Sequence, residues 1–554
     1  MYSSKENVNI LTALLVKHGV RHAVVCPGSR NAPIAHNLNT CPDITCFSVV
    51  DERSAGFYAL GLTLQSHRPV AICVTSGTAL LNLAPAVAEA FYLRKPLIII
   101  SADRPLAWID QQDGQTLPQP DALGRFVRKA VTLPEPMNDE QRWHTNRLIN
   151  EALLEATRLG DAPVHINIPI SEPLFDFSVE ALPDERCISL CESVADTSAI
   201  DDILTTLCHA QRPMIVVGQT DGNLPVTKET TDKLNAVAVV LHEALTTLHG
   251  QTFFDEALYH ITDETDYQPD FIVYLGGSIV SKRLKAFLRR SAKAKTWIVN
   301  PRGELYDTFG NLQGIIECTT EKFIGQLARY PFIRQEKPFL QRWTKLLQSV
   351  AHQSAVYEPP YSQMAAVKAF EQRVERLSEK VHIHYANSTS VRLANIYARH
   401  FVHCNRGING IDGTLSTAAG CSLLTEEKVF CVTGDLSFFY DQNALWNQHL
   451  RGNFRIVLLN NGCGGIFRQL RGLEASPARD TFISACHGTT AEGICHSHRM
   501  VYLSATNMEQ LHKGLDRLTA GKSERPMLLE VQTSIKEDEN AFREYYKSFT
   551  RAAH

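Results

Sequence analysis

Two apolar runs in the last third of the chain end in residues that can bind a metal ion. "VFCVT" leads into Gly434-Asp435, and "RIVLLN" leads into Asn461-Gly462-Cys463-Gly464-Gly465. Mg2+ takes oxygen ligands in near-octahedral geometry and often shares them with phosphates. Asp435 offers a carboxylate, and Asn461, 26 positions later, offers a carboxamide oxygen. A backbone carbonyl in the glycine-rich loop can be a third protein ligand. Glycines let the backbone approach a diphosphate, and N–H groups at a helix start can hold it. Gly-Asp alone fits an ordinary turn. The second strand end, with its own Asn-Asn-Gly, points instead to a metal–diphosphate site. Mn2+ suits the same ligands as Mg2+.

Other charged residues also follow strand-like runs. Glu52, in "VVDERSAGFYALGL", opens a helix whose small residues Ser54, Ala55 and Gly56 permit close approach. Taken alone, it reads as a solvated glutamate favoured by the helix dipole. "CPGSRNAPIA" carries Ser29 and Arg30, "SADRP" carries Arg104, and "NSTSVR" carries Ser388 and Arg392. "CNRGINGIDG" carries Arg406, and "GGSIVSKRL" carries Lys282 and Arg283. Any one of these reads best as an ion pair or a solvated charge. As a set they suit a pocket for more than one carboxylate, which planar guanidinium groups bind in bidentate fashion. A Cys/His-rich stretch, "ACHGTTAEGICHSH" (Cys486 to His498), matches no zinc-ligand spacing and reads as a loop and helix.

Short apolar runs that alternate with helical patterns must position these groups. "PVAICVTSG", "KPLIIISADRP", "PVHINIP", "RPMIVVG", "DFIVYLGG", "VHIHYANS" and "PMLLEVQ" have the length and continuity of buried parallel strands. The pattern predicts α/β architecture with functional loops at the carboxyl ends of the strands. A chain of 554 residues exceeds a single core, and polar connectors divide it into three blocks, 1–185, 195–345 and 355–554. The formal net charge is −4 without a basic block, which argues against a nucleic-acid partner. The N-terminus reads as an amphipathic helix (Ile10, Leu11, Leu14, Leu15), not a signal peptide, and no apolar run reaches membrane-span length. The 14 cysteines contain no Cys-x-x-Cys pair, so a cytoplasmic protein with reduced thiols is expected.

Gly-Asp followed some two dozen residues later by Asn-Asn resembles the signature of thiamine diphosphate enzymes, with Leu436 where most have a second glycine. "CPGSRNAPI", "DERSAGFYALGL", "VTSGTALLNLAPAVAEA", "ADRP", "NSTSVR", "NRGINGIDGTLSTAAG" and "TGDLSFFYDQNAL…LLNNGCGGIF" resemble, in order, the 2-succinyl-5-enolpyruvyl-6-hydroxy-3-cyclohexene-1-carboxylate synthase family of menaquinone biosynthesis. "GDLSF" is typical of it. The resemblance implies three doubly wound domains: pyrimidine-binding, middle and diphosphate-binding. It implies that 2-oxoglutarate loses CO2 and is joined to isochorismate. By the same resemblance Glu52 activates the cofactor, and Asp435, Asn461 and the Cys463 carbonyl bind Mg2+. Ser29, Arg30, Arg104, Gln115, Ser388, Arg392 and Arg406 hold substrate. Gly434, Leu436, Ser437 and Gly464 lie along the cofactor, Ile411 wedges it, and Ile466 and Phe467 wall the reacting carbon. Two departures stand out: Cys463 occupies a position usually held by glycine, and "DQQDGQTLPQ" around Gln115 differs from the usual Gly-Ala-Asn-Gln. The family places Glu52 and Asp435 together across a subunit interface, which implies a dimer or tetramer. An acetolactate synthase-type carboligase is the alternative; the arginine set and "GDLSF" argue against it.

Overall fold

The computed structural model describes residues 1–190, 198–250, 252–331, 337–468 and 472–551; parts of both connectors, at 191–197 and 332–336, lie outside these. The described strands form three wholly parallel sheets. The first contains β1 (His22–Val25), β2 (Thr45–Ser48), β3 (Val70–Val74), β4 (Leu97–Asp103), β5 (Lys129–Thr132) and β6 (Val164–Pro169), in the order β2-β1-β3-β4-β6-β5. The second contains β7 (Pro213–Val217), β8 (Val239–His242), β9 (Phe271–Leu275), β10 (Lys295–Val299) and β11 (Leu312–Ile316), in the order β11-β10-β9-β7-β8. The third contains β12 (Val381–Tyr385), β13 (Lys428–Gly434), β14 (Phe454–Asn460), β15 (Val501–Ala505) and β16 (Met527–Gln532), in the order β12-β13-β14-β16-β15.

Central strands are buried along their whole length, as in β3, β4 and β14. Helices cover both faces of such a strand, so its sequence is a continuous apolar run rather than an alternation. Each sheet also juts its strand ends toward loops that can carry ligands. No helix among the described residues is long and apolar enough to cross a membrane.

The cores cross the block boundaries. One cluster joins Val24, Phe57, Leu60 and Ile72 of the first block to Leu415, Ala419, Cys431 and Phe438 of the third. Another joins Phe254, Phe287 and Leu288 of the middle block to Phe370, Tyr385 and Val402 of the third. The first–third contact is made by two helices, Glu52–Ser66 and Thr414–Ser422. Residues Ser54 to Thr63 of the former are all buried, as expected of a helix surrounded on every side. Glycine lets the two backbones meet: a Cβ on Gly61 would lie 2.0 Å from the Thr417 carbonyl oxygen, and one on Gly420 would lie 2.3 Å from that of Tyr58. Tyr58 adds a hydrogen bond from its hydroxyl to the Ala444 carbonyl (2.6 Å).

Candidate active site

β13 and β14 are adjacent and in register, with Gly434 opposite Leu459. Their carboxyl ends therefore deliver Asp435 and Asn461 to one place. Asp435 opens the helix Asp435–Tyr440 and is buried. Its Oδ2 accepts backbone N–H bonds from Asn461 (3.2 Å), Gly462 (2.8 Å) and Cys463 (3.1 Å), and its Oδ1 accepts from Leu436 N (2.7 Å). Burial raises the carboxyl pKa, while these N–H groups and nearby His487 oppose the rise. Gly462 turns the loop at φ +75, which explains a glycine there. Cys463 is not among the residues with positive φ, so a side chain is tolerated at this position. Leu436 lies in the first turn of a right-handed helix, where no glycine is required.

Asn461 Nδ2 donates to Asp538 Oδ2 (2.8 Å), and its Oδ1 accepts from Cys463 N (3.3 Å). The Cys463 carbonyl accepts from Gly465 N (2.9 Å). Ser437 Oγ donates to the Ile411 carbonyl, tying Ile411 to the same helix start; the Ile411 residue is 43 % exposed. Ile466 and Phe467 sit on the short helix Gly465–Arg468, and a Cβ on Gly464 would meet the Phe467 ring at 3.0 Å. These groups gather around one loop mouth.

His487, from the Cys/His-rich stretch, faces the same carboxylate. Its Nδ1 accepts from Thr489 N (3.1 Å). Nε2 is buried without a hydrogen-bond partner, 3.6 Å from Asp435 Oδ2. Among the described residues no group of three His, Cys, Asp or Glu side chains converges as a metal site.

In the first block, Glu52 follows the edge strand β2 and is partly exposed. Asp51 caps its helix by accepting from Ser54 N (3.2 Å), and Asp51 Oδ2 also accepts from Asn443 Nδ2 (2.7 Å). Arg53 donates to the Tyr440 carbonyl (2.8 Å) and lies over its ring. The Glu52 charge faces Cys26 at the end of β1, whose thiol is pushed well up by burial and by that charge.

Arg30 and Arg104 come together past β1 and β4. Arg30 is buried, donates to the Ile170 carbonyl (3.0 Å) and pairs with Glu172 (3.4 Å). Burial and the neighbouring Arg104 charge lower its pKa. Arg104 pairs with Asp113 (3.0 Å) and donates to the Gly114 carbonyl (3.1 Å). Ser29 and Gln115 are exposed at the rim.

Past β12, Ser388 precedes the helix Thr389–Tyr397 at φ +70, and Arg392 lies one turn into that helix. Arg392 lines a cavity of about 170 Å³ between the middle and third blocks, with Glu243, Ser281 and Asn395. Arg406 is buried, donating to Asn387 Oδ1 (2.9 Å) and the Ile279 carbonyl (3.5 Å), while its Nε has no partner. Its own carbonyl accepts from Ser278 Oγ (2.8 Å), so the middle block helps to hold it. Arg283 is a structural group: it pairs with Asp255 and lies over the rings of Tyr259 and Tyr546, both at 5.2 Å.

Four supporting residues are not evident from the sequence pattern. Gln119 is buried; it donates to Asn167 Oδ1 (2.8 Å) and accepts from Gly77 N (2.8 Å). Glu89 accepts from Gly407 N (2.7 Å) and Ile408 N (2.6 Å), fixing the loop after Arg406. Asp441 accepts from Ser416 N (2.8 Å) and Ser416 Oγ (2.7 Å) at the start of the helix after Ile411, and burial pushes it up to about 7. Asp538 holds Asn461. Of these, Glu89 carried a signal, an acidic residue alone in the apolar helix "APAVAEAFYL".

Three family models match the chain in order. They are the N-terminal TPP binding domain of thiamine pyrophosphate enzymes (6–123), the middle domain of thiamine pyrophosphate enzymes (210–369) and the C-terminal TPP binding domain (387–531). A 2-succinyl-5-enolpyruvyl-6-hydroxy-3-cyclohexene-1-carboxylate synthase of Bacteroides thetaiotaomicron is 44% identical to the chain, covering 99% of each. The chain belongs to the 2-succinyl-5-enolpyruvyl-6-hydroxy-3-cyclohexene-1-carboxylate synthase family. Synthases of the same name from Flavobacterium psychrophilum (96% of each chain) and Porphyromonas gingivalis (98% of this chain, 97% of the relative) are both 34% identical to it. Membership makes the protein a thiamine diphosphate-dependent carboligase with three α/β domains. The synthase reading is favoured over the acetolactate synthase-type alternative.

Proposed function

We propose that the protein decarboxylates 2-oxoglutarate with thiamine diphosphate and joins the remaining four-carbon unit to isochorismate, in the cytoplasm, as a step of menaquinone biosynthesis. The observation that carries this reading is the buried Arg406, whose Nε has no partner and whose guanidinium is held by Asn387 just past β12, the strand next to β13. Both substrates are dicarboxylates, and guanidinium groups held by protein carbonyls and amides are suited to them.

The residues fit a divalent cation and a diphosphate. All three proposed metal donors are oxygens: Asp435, Asn461 and the Cys463 carbonyl, as Mg2+ or Mn2+ prefers. His487 Nε2 is buried beside them, 3.6 Å from Asp435 Oδ2 and without a hydrogen-bond partner. Bound thiamine diphosphate would supply the electron sink for loss of CO2. Gly434, Leu436, Ser437 and Gly464 would line its diphosphate, and Ile411, Ile466 and Phe467 its apolar body. Glu52 would hydrogen-bond the aminopyrimidine and hold its proton balance. Ser29, Arg30, Arg104, Gln115, Ser388, Arg392 and Arg406 would bind the carboxylates and orient the reacting carbons. Glu52 meets Asp435 of a second copy in this reading, so the working form is a dimer or a tetramer, with blocks bounded at 1–185, 195–345 and 355–554.

The test is CO2 release from 2-oxoglutarate by the purified protein with thiamine diphosphate and Mg2+, with and without isochorismate. Isochorismate-dependent release, with an adduct of the expected mass, supports the proposal. Preferential turnover of pyruvate would overturn the substrate assignment, and failure to bind thiamine diphosphate would overturn the site.

A further inference from the structure

The C-terminal helix Ile535–Arg551 places Asp538 behind the proposed metal site, where its carboxyl group is buried. Asp538 Oδ2 accepts from Asn461 Nδ2 (2.8 Å) and Thr533 Oγ1 (2.9 Å), and Oδ1 accepts from Gln363 N (2.8 Å). Three separate segments thus converge on one carboxylate: the loop after β14, the turn after β16 and the start of the helix Gln363–Val374.

A carboxamide can point either its oxygen or its NH2 at a given target. An ionised carboxylate only accepts, so it selects the orientation in which Asn461 Nδ2 faces it. Asn461 Oδ1 is then turned away from Asp538, toward Cys463 N (3.3 Å) and the Asp435 end of the loop. A cation needs that oxygen. With the amide reversed, NH2 would face the metal and repel it.

We propose that Asp538 is a positioning residue, which fixes the rotamer and amide orientation of Asn461 so that its oxygen faces the cation. The proposal rests on the reading of Asp435 and Asn461 as metal ligands. Loss of a group that orients a ligand typically costs about 10–100-fold in metal affinity.

The experiment measures thiamine diphosphate binding by calorimetry across a Mg2+ series, for the full-length protein and for Asp538→Ala, Asp538→Asn, Asn461→Ala and the double alanine variant. Asp538→Ala is expected to raise the half-saturating Mg2+ concentration about 10–100-fold. Asp538→Asn keeps an acceptor and the side-chain volume; it is expected to recover part of that loss, and it serves if the alanine variant does not fold. The double variant is expected to be no worse than Asn461→Ala, because Asp538 acts through Asn461. An additive double variant overturns the proposal. So does a lowered melting temperature at an unchanged Mg2+ requirement, which is a structural role only. If Asn461→Ala itself leaves the Mg2+ requirement unchanged, the metal-ligand reading fails rather than the positioning step.

Discussion

Asp435 and Glu52 are both carboxylates in the first turn of a helix that follows a parallel strand, yet their surroundings are opposite. Asp435 follows a central strand, is buried, and accepts four backbone N–H bonds from its own helix and the neighbouring loop. Glu52 follows the edge strand β2, is partly exposed, and its carboxyl accepts no hydrogen bond among the described residues. One end of the site is completed by adjacent strands of a single chain. The other presents a bare carboxyl group. The same helix start teaches different lessons in the two places: backbone N–H groups bind the Asp435 carboxyl group itself, whereas Glu52 is placed by its helix, through packing and through the contacts of its neighbours Asp51 and Arg53.

Exchanging the two acids for amides breaks the comparison most directly. Glu52→Gln is expected to lower turnover by about 10²–10⁴-fold, the range for loss of a proton-transfer group, with thiamine diphosphate affinity nearly unchanged. Asp435→Asn is expected to do the reverse at the binding level. It should abolish Mg2+-dependent cofactor binding, because removal of a direct ligand exceeds the effect of removing an outer partner. Calorimetry and steady-state rates on both variants separate the two ends; equal loss of binding in both would erase the distinction.

A smaller effect tests how Glu52 is positioned. Gly61→Ala forces a Cβ to within 2.0 Å of the Thr417 carbonyl, and backbone cannot move as a flexible side chain can. The expected cost is about 1–3 kcal/mol, seen as a lowered denaturation midpoint. Turnover per folded molecule is expected to fall with it, since the crossing sets where the helix points. A wild-type midpoint would mean that the two helices give way without cost.

The smallest effect sharpens the contrast between carboxyl groups held by N–H donors and those held by burial. Glu256 is buried in the middle block, where burial and nearby Asp255 push it up to about 7. Its folded pKa thus exceeds its unfolded one. The stability of its neutral form is complete below about 4.5 and is lost as pH rises through about 7. Glu256→Gln stays neutral, so its melting temperature is expected to fall less than that of the wild type between pH 6 and pH 8. Identical pH slopes would refute the assignment.

Much of the fold is legible in the sequence because buried parallel strands are written as unbroken apolar runs, as in β4 and β14. The metal end is legible for a related reason: its two polar groups directly follow such runs. The supporting residues are not, because their partners lie far away in the chain. Asp538 is 77 positions from Asn461 and Glu89 is 318 from Gly407. A buried acid in a polar helix such as "IKEDENAF" has the same composition as a solvated one. Arg283 shows the converse: its place beside a strand end suggests a pocket, but Asp255 and two tyrosines occupy it.

The meeting of backbones at Gly61 and Gly420 also limits how the chain can be recombined. A chimera that takes its first block from one relative and its third from another inherits half of a crossing with no side chains to absorb a mismatch. Both glycines must travel with the exchanged pieces, together with Thr417 and Tyr58 opposite them. For heredity, then, the two blocks form one module, although each has its own sheet.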